Sequence, residues 1–137
     1  MLTIQLANLL TISLQLSKLP VEQFISKPFQ NSGMGRELCA VEIDAGVIKK
    51  LVETTSHLES PTPPEMNSME RVAQAKEALG LLNSVPNVIF DGEISDGPFP
   101  LLGRWQEAWP ILRPGENGWT YDTRSKCGRV IIHCGRD

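Results

Sequence analysis

Leu2-Thr3-Ile4-Gln5-Leu6-Ala7-Asn8-Leu9-Leu10-Thr11-Ile12-Ser13-Leu14-Gln15-Leu16-Ser17 opens the chain with an aliphatic residue at almost every even position. The odd positions between them are mostly Thr, Gln and Ser. Successive side chains of an extended chain point to opposite faces, so this segment has one oily and one wet face. Leu, Gln and Ala also form helices well, but the period of two decides for strand. The phase breaks at Asn8, which divides the stretch into two strands meeting near residues 7–9. Its polar side carries no charge, so at a sheet edge it would be poorly protected against pairing with a second copy. A homodimer is therefore expected.

Working outward from this stripe, residues 20–26 allow one helical turn after Pro20, and residues 28–36 are a loop by composition. Residues 38–43 read as a short strand. Asp44 suits the N-cap of a helix to Ser56, with Val47, Ile48, Leu51 and Val52 as its apolar face. The run Ser60-Pro61-Thr62-Pro63-Pro64-Glu65 is the clearest break in the chain. Thr62 and Glu65 have capping-box spacing, and Pro63 suits the first helical position. A second helix then runs from 63 to 82, burying Met69, Val72, Ala73, Leu79 and Leu82, and stopped by Asn83 and Pro86.

Further on, Val88-Ile89-Phe90, Asp91-Gly92 and Glu93-Ile94-Ser95 carry the signal of a two-residue hairpin, because Asp-Gly accepts the positive φ of a type I′ turn. Trp105 and Trp109 are four apart on a short helix ended by Pro110. A second hairpin pairs Trp119–Thr123 with Arg129–Cys134. The whole predicts a single α+β domain over 1–137. Its antiparallel sheet is built from the N-terminal strands and the two hairpins, and two amphipathic helices (45–57 and 63–82) cover one face.

Composition bounds the function without fixing it. The chain has 137 residues and a net charge of -3. Residues 37–96 hold 11 acidic and 4 basic side chains, so the middle is acidic and the two ends are mildly basic. Three cysteines, Cys39, Cys127 and Cys134, form no closed disulfide framework and favour a reducing, cytoplasmic setting. The apolar start lacks the basic region of a secretory signal, and its polar residues exclude a membrane span.

No catalytic constellation is complete. Ile132-His133-Cys134 resembles the opening of the cysteine-phosphatase signature His-Cys-x5-Arg, but Arg136 stands two residues on rather than six. No zinc-like ligand pair occurs apart from His133-Cys134, whose neighbours on a strand face opposite ways. Asp91, Glu93 and Asp96 form an acidic loop that fails the calcium-loop pattern at its sixth and twelfth positions. Gly33-Met34-Gly35 is a lone G-x-G without a third glycine. His57 reads as a solvated cation at a helix C-terminus. No cofactor and no metal are expected.

What remains is a contact surface. Arg104, Trp105, Trp109, Trp119, Tyr121, Arg124, Lys126 and Arg129 gather in the last third of the chain. Trp, Tyr and Arg are the residues enriched at protein interfaces. The sequence thus points to a non-catalytic interaction or regulatory protein, whose partners are itself and another protein. One alternative is a small enzyme using Cys134 or Cys127 with His133, or Asp91 with Glu93 as an acid–base pair. A second is a nucleic-acid or nucleotide binder through the basic C-terminal hairpin.

Overall fold

The structure, a computed structural model, describes residues 3–7, 13–46, 50–93, 99–116 and 128–133. The opening stripe forms two strands, β1 (Thr3–Ala7) and β2 (Ser13–Ser17). They pair antiparallel, with Ile4 opposite Leu16 and Leu6 opposite Leu14. The even-numbered residues therefore share one face. At the end of β2 the environment is the reverse of the one expected, with Leu16 53% exposed and Gln15 8% exposed. Gln15 turns inward because its amide reaches the main sheet, donating to the Glu53 carbonyl at 3.4 Å. The pairing uses one edge of each strand, and no observation among the described residues supports the expected homodimer.

The second sheet has six strands: β3 (Val21–Pro28), β4 (Glu37–Asp44), β5 (Lys50–Ser56), β6 (Val88–Glu93), β7 (Trp105–Glu107) and β8 (Gly128–His133). Their spatial order is β3-β4-β5-β6-β8-β7. All neighbours are antiparallel except β5 and β6, which are parallel. The sheet is therefore mixed, which corrects the purely antiparallel architecture expected from sequence. The expected face covered by two amphipathic helices is not formed either.

The reasons lie in particular segments. Residues 50–56 form a strand, not a helix. Val52, Thr54 and Thr55 are β-branched and stiff, which suits a pleat, and both edges of β5 are paired. Thr54 and Ser56 are buried on one side of it. Residues 21–28 are likewise extended along β4 rather than a helical turn.

The Asp91-Gly92 dipeptide does not turn. β6 runs straight through it, because Asp91 pairs with both Thr55 and Val130. β8 then lies between β6 and β7, and the first strand of the expected second hairpin, residues 119–123, falls outside the described residues. Trp105 is on β7, and the short helix α2 (Ala108–Leu112) starts only after it.

Parallel strands need a crossover. Here it contains the one long helix among the described residues, α1 (Ser68–Leu82). It begins five residues later than the capping-box reading places it. Thr62 and Glu65 instead close a turn, the Thr62 N–H donating to the Glu65 carbonyl at 2.8 Å across the cis Pro63-Pro64 bond. The buried face of α1 is Arg71, Gln74, Ala75, Ala78, Leu79 and Leu82. Met69, expected inside, is 78% exposed. The expected stripe is rotated because two polar side chains, Arg71 and Gln74, take interior positions where they bond to Glu59.

Ala75, Ala78, Leu79 and Leu82 join Leu58, Val88, Phe90, Phe99 and Trp105 in the core. Fully burying a side chain such as Leu or Phe is worth about 1.5–3 kcal/mol. Phe90 and Phe99 meet edge-to-face with centroids 5.7 Å apart, the arrangement aromatic quadrupoles favour. Cys39 is fully buried, a small apolar filler of the kind the sequence suggested.

Candidate functional site

Open sheets place ligands outside the carboxyl ends of their parallel strands. β5 and β6 end together here, with Ser56 opposite Gly92. The chain leaves β5 as His57-Leu58-Glu59-Ser60, and β4 begins at the same end with Glu37, whose carbonyl accepts the Ser56 hydroxyl at 2.9 Å. The loop before β4 (residues 29–36) is closed by Phe29 N–H donating to the Arg36 carbonyl at 3.0 Å. Gly35, at φ +69, supplies the left-handed turn that brings Arg36 back toward the sheet.

Arg36 and His57 meet at Ser60. Arg36 Nη2 donates to Ser60 Oγ at 2.9 Å, and His57 Nε2 lies 3.4 Å from the same oxygen. Nη2 also points at Met34 Sδ, 3.7 Å away. A guanidinium carries five N–H donors, so these two contacts leave others for a ligand. Because Ser60 Oγ accepts from Arg36, its own proton is available to His57 or to a bound oxygen. His57 is exposed, and Arg36 and Ser60 are half-buried. A fixed cation, a hydroxyl and an imidazole within reach of one point can hold a tetrahedral anion and exchange a proton with it.

Glu59 lies directly beneath. It is 4% exposed, and its carboxylate accepts from Ser32 Oγ (2.6 Å), Gly33 N–H (2.9 Å), Met34 N–H (3.0 Å) and Gln74 Nε2 (3.2 Å). Burial pushes its pKa up, but the hydrogen bonds from Ser32, Gln74, Gly33 and Met34 together outweigh burial and hold it below the ordinary glutamate value.

Of the expected site residues, Arg104, Trp105, Trp109 and Arg129 fall within the described residues. Trp105 is in the core at 3% exposure, while Arg104 beside it is exposed. Trp109 is 41% exposed on α2, and its indole N–H donates to the Glu116 carbonyl at 3.1 Å. Arg129 is on β8 at the register position of Gly92, at the same end of the sheet as His57. Trp119, Tyr121, Arg124 and Lys126 lie outside the described residues, as do Cys127 and Cys134. His133 ends β8 opposite Val88 and Trp105. Asp91 is exposed on β6 opposite Thr55.

Among the described residues no three His, Cys, Asp or Glu side chains converge to hold a metal ion. Arg36, Glu59 and Ser60 were not singled out by sequence reasoning, and His57 was placed on a helix. Reading 50–56 as a strand is the signal that would have put His57 at the carboxyl end of a parallel strand.

The chain matches no protein-family model and no curated protein. Its fold is nonetheless that of several solved structures. A humanized TDP2 from D. rerio superimposes with a TM-score of 0.69 at 25% identity, covering 86% of this chain and 53% of that one. D. rerio TDP2 complexed with a single-strand DNA product gives 0.66 at 22% identity, covering 86% and 54%. The catalytic domain of human Nocturnin with a bound sulfate anion gives 0.58 at 10% identity, covering 84% and 48%. The chain thus spans about half the length of these structures. They correct the regulatory reading, since this fold belongs to a catalytic domain and to a protein holding a DNA product. No helix among the described residues is long and apolar enough to cross a membrane.

Proposed function

We propose that this chain binds nucleic-acid phosphate at the Arg36–His57–Ser60 cluster, as part of an enzyme that processes phosphoesters at the ends of single strands. The observation that carries this reading is the Ser60 hydroxyl held between a guanidinium and an imidazole at the carboxyl end of the parallel pair. Two structural neighbours support it, one holding a single-strand DNA product and the other a tetrahedral oxyanion. The binding alternative from sequence is kept, and its location moves from the C-terminal hairpin to the loops after β5 and before β4.

The test is fluorescence anisotropy with a 5′-phosphorylated, single-stranded oligothymidine at several salt concentrations. Binding should weaken as salt rises, since phosphate contacts release counterions. Arg36→Ala should weaken binding at every salt concentration and make the salt slope shallower. Binding that is lost on Arg124→Ala or Arg129→Ala, and unchanged by Arg36→Ala, would overturn this location.

A further inference from the structure

We infer that Glu59 is a positioning residue for the phosphate site, acting on Arg36 through Ser32; this rests on the reading just given. The connection is a closed circuit. Ser32 Oγ donates to Glu59 Oε2 at 2.6 Å and accepts the Arg36 backbone N–H at 2.7 Å. Arg36 Nη2 donates to Ser60 Oγ, and Ser60 is joined to Glu59 by the peptide bond. The arginine is thereby fixed at its backbone and at its tip, and both anchors lead to residue 59.

Residue 59 is itself immobilised from the helix side. Its N–H donates to Gln74 Oε1 at 2.8 Å, and its carbonyl accepts from Arg71 Nη1 at 2.9 Å. Every polar atom of Glu59 is therefore committed, and the carboxylate faces the loop that carries Arg36 rather than the ligand. Gly33 lies against it, and a Cβ there would make an ordinary van der Waals contact with Glu59 Oε1 at 3.4 Å. A loop guanidinium is otherwise free among several rotamers, and holding it in one removes an entropy cost from binding. A carboxylate is the group suited to this place, because four donors converge on it. In Glu59→Gln the new NH2 would meet at least one of those donors head-on.

The experiment measures affinity for 5′-phosphorylated oligothymidine well below each variant's Tm, so that only folded protein is compared. Ser32→Ala and Glu59→Gln should each weaken binding about fivefold, the size of one lost hydrogen bond. In an Arg36→Ala background the Ser32→Ala change should have no further effect, because its action passes through Arg36. A purely structural role would lower Tm and leave affinity unchanged, or would weaken binding equally with and without Arg36; either result overturns the inference. If Glu59→Gln does not fold, Ser32→Ala and its double variant decide alone. Wild-type affinity in Arg36→Ala would instead overturn the phosphate-site reading itself.

Discussion

The ring of Phe90 occupies the space that a side chain at Gly92 would need: a Cβ there would stand 2.7 Å from Phe90 Cζ. The two residues share one face of β6, two positions apart. Glycine at 92 is thus a packing requirement of a straight strand rather than the mark of a turn.

Gly92→Ala should accordingly destabilise the fold by about 1–3 kcal/mol, the range for overpacking a filled core. Urea titration reads this as a lower midpoint at unchanged slope. A midpoint equal to that of the wild type would mean that the Phe90 ring can move aside.

The same pair shows where sequence reading stops. Asp-Gly between apolar runs is a strong hairpin signal when only neighbours in the chain are considered. The pairing of Asp91 with Thr55 and Val130 involves residues more than thirty positions away, and nothing local announces it. The strand at 38–43 and the end of the second helix at Asn83 were legible, because a short apolar run and a stop signal are local. β5 was not, because Leu51 and Val52 suit a helix face as well as a pleat. Once it is misread, His57 becomes a helix-end cation and the site vanishes. Arg36 and Ser60 meet only through the fold.

Stability at acid pH should depend on Glu59. Its carboxyl is held below the ordinary value in the folded state, so deprotonation favours folding. That contribution is fully present above the unfolded-state pKa and is lost as pH falls through the lower, folded one. Thermal unfolding from pH about 6 to about 3 spans this window. The difference in Tm between the wild type and Glu59→Gln should shrink toward the acid end. A difference that stays constant across that range would show that Glu59 titrates alike in both states.

Lys50 bridges Glu22 and Glu42 on the solvent side of β3, β4 and β5. Lys50 donates hydrogen bonds to the Glu22 and Glu42 carboxylates, which push its pKa up, and the bond from Lys50 holds Glu42 down. Lys50 and Glu22 are exposed and Glu42 is half-buried, and pairs at the surface contribute little and are screened by salt. Lys50→Ala should therefore lower the urea midpoint slightly at low ionic strength, with the deficit disappearing in molar salt. A deficit that persists at high salt would point to lost packing of the lysine stem instead.

Arg36→Lys keeps the positive charge at the candidate site but not its geometry. The guanidinium is a planar fork, so one Nη can bond to Ser60 while other N–H groups face a ligand. An ammonium on a flexible stem cannot hold both directions at once. If charge alone binds phosphate, Arg36→Lys will match the wild type for the phosphorylated oligonucleotide at low salt. If the fork is required, affinity falls about tenfold or more, in line with the loss of a charge-assisted hydrogen bond. The structure favours the second outcome, because Ser60 Oγ is already engaged by Nη2 before any ligand arrives. A lysine would have to choose between the serine and the phosphate. Equal affinity for the two proteins, at salt concentrations where binding is half screened, would show that Ser60 plays no part in orienting the cation.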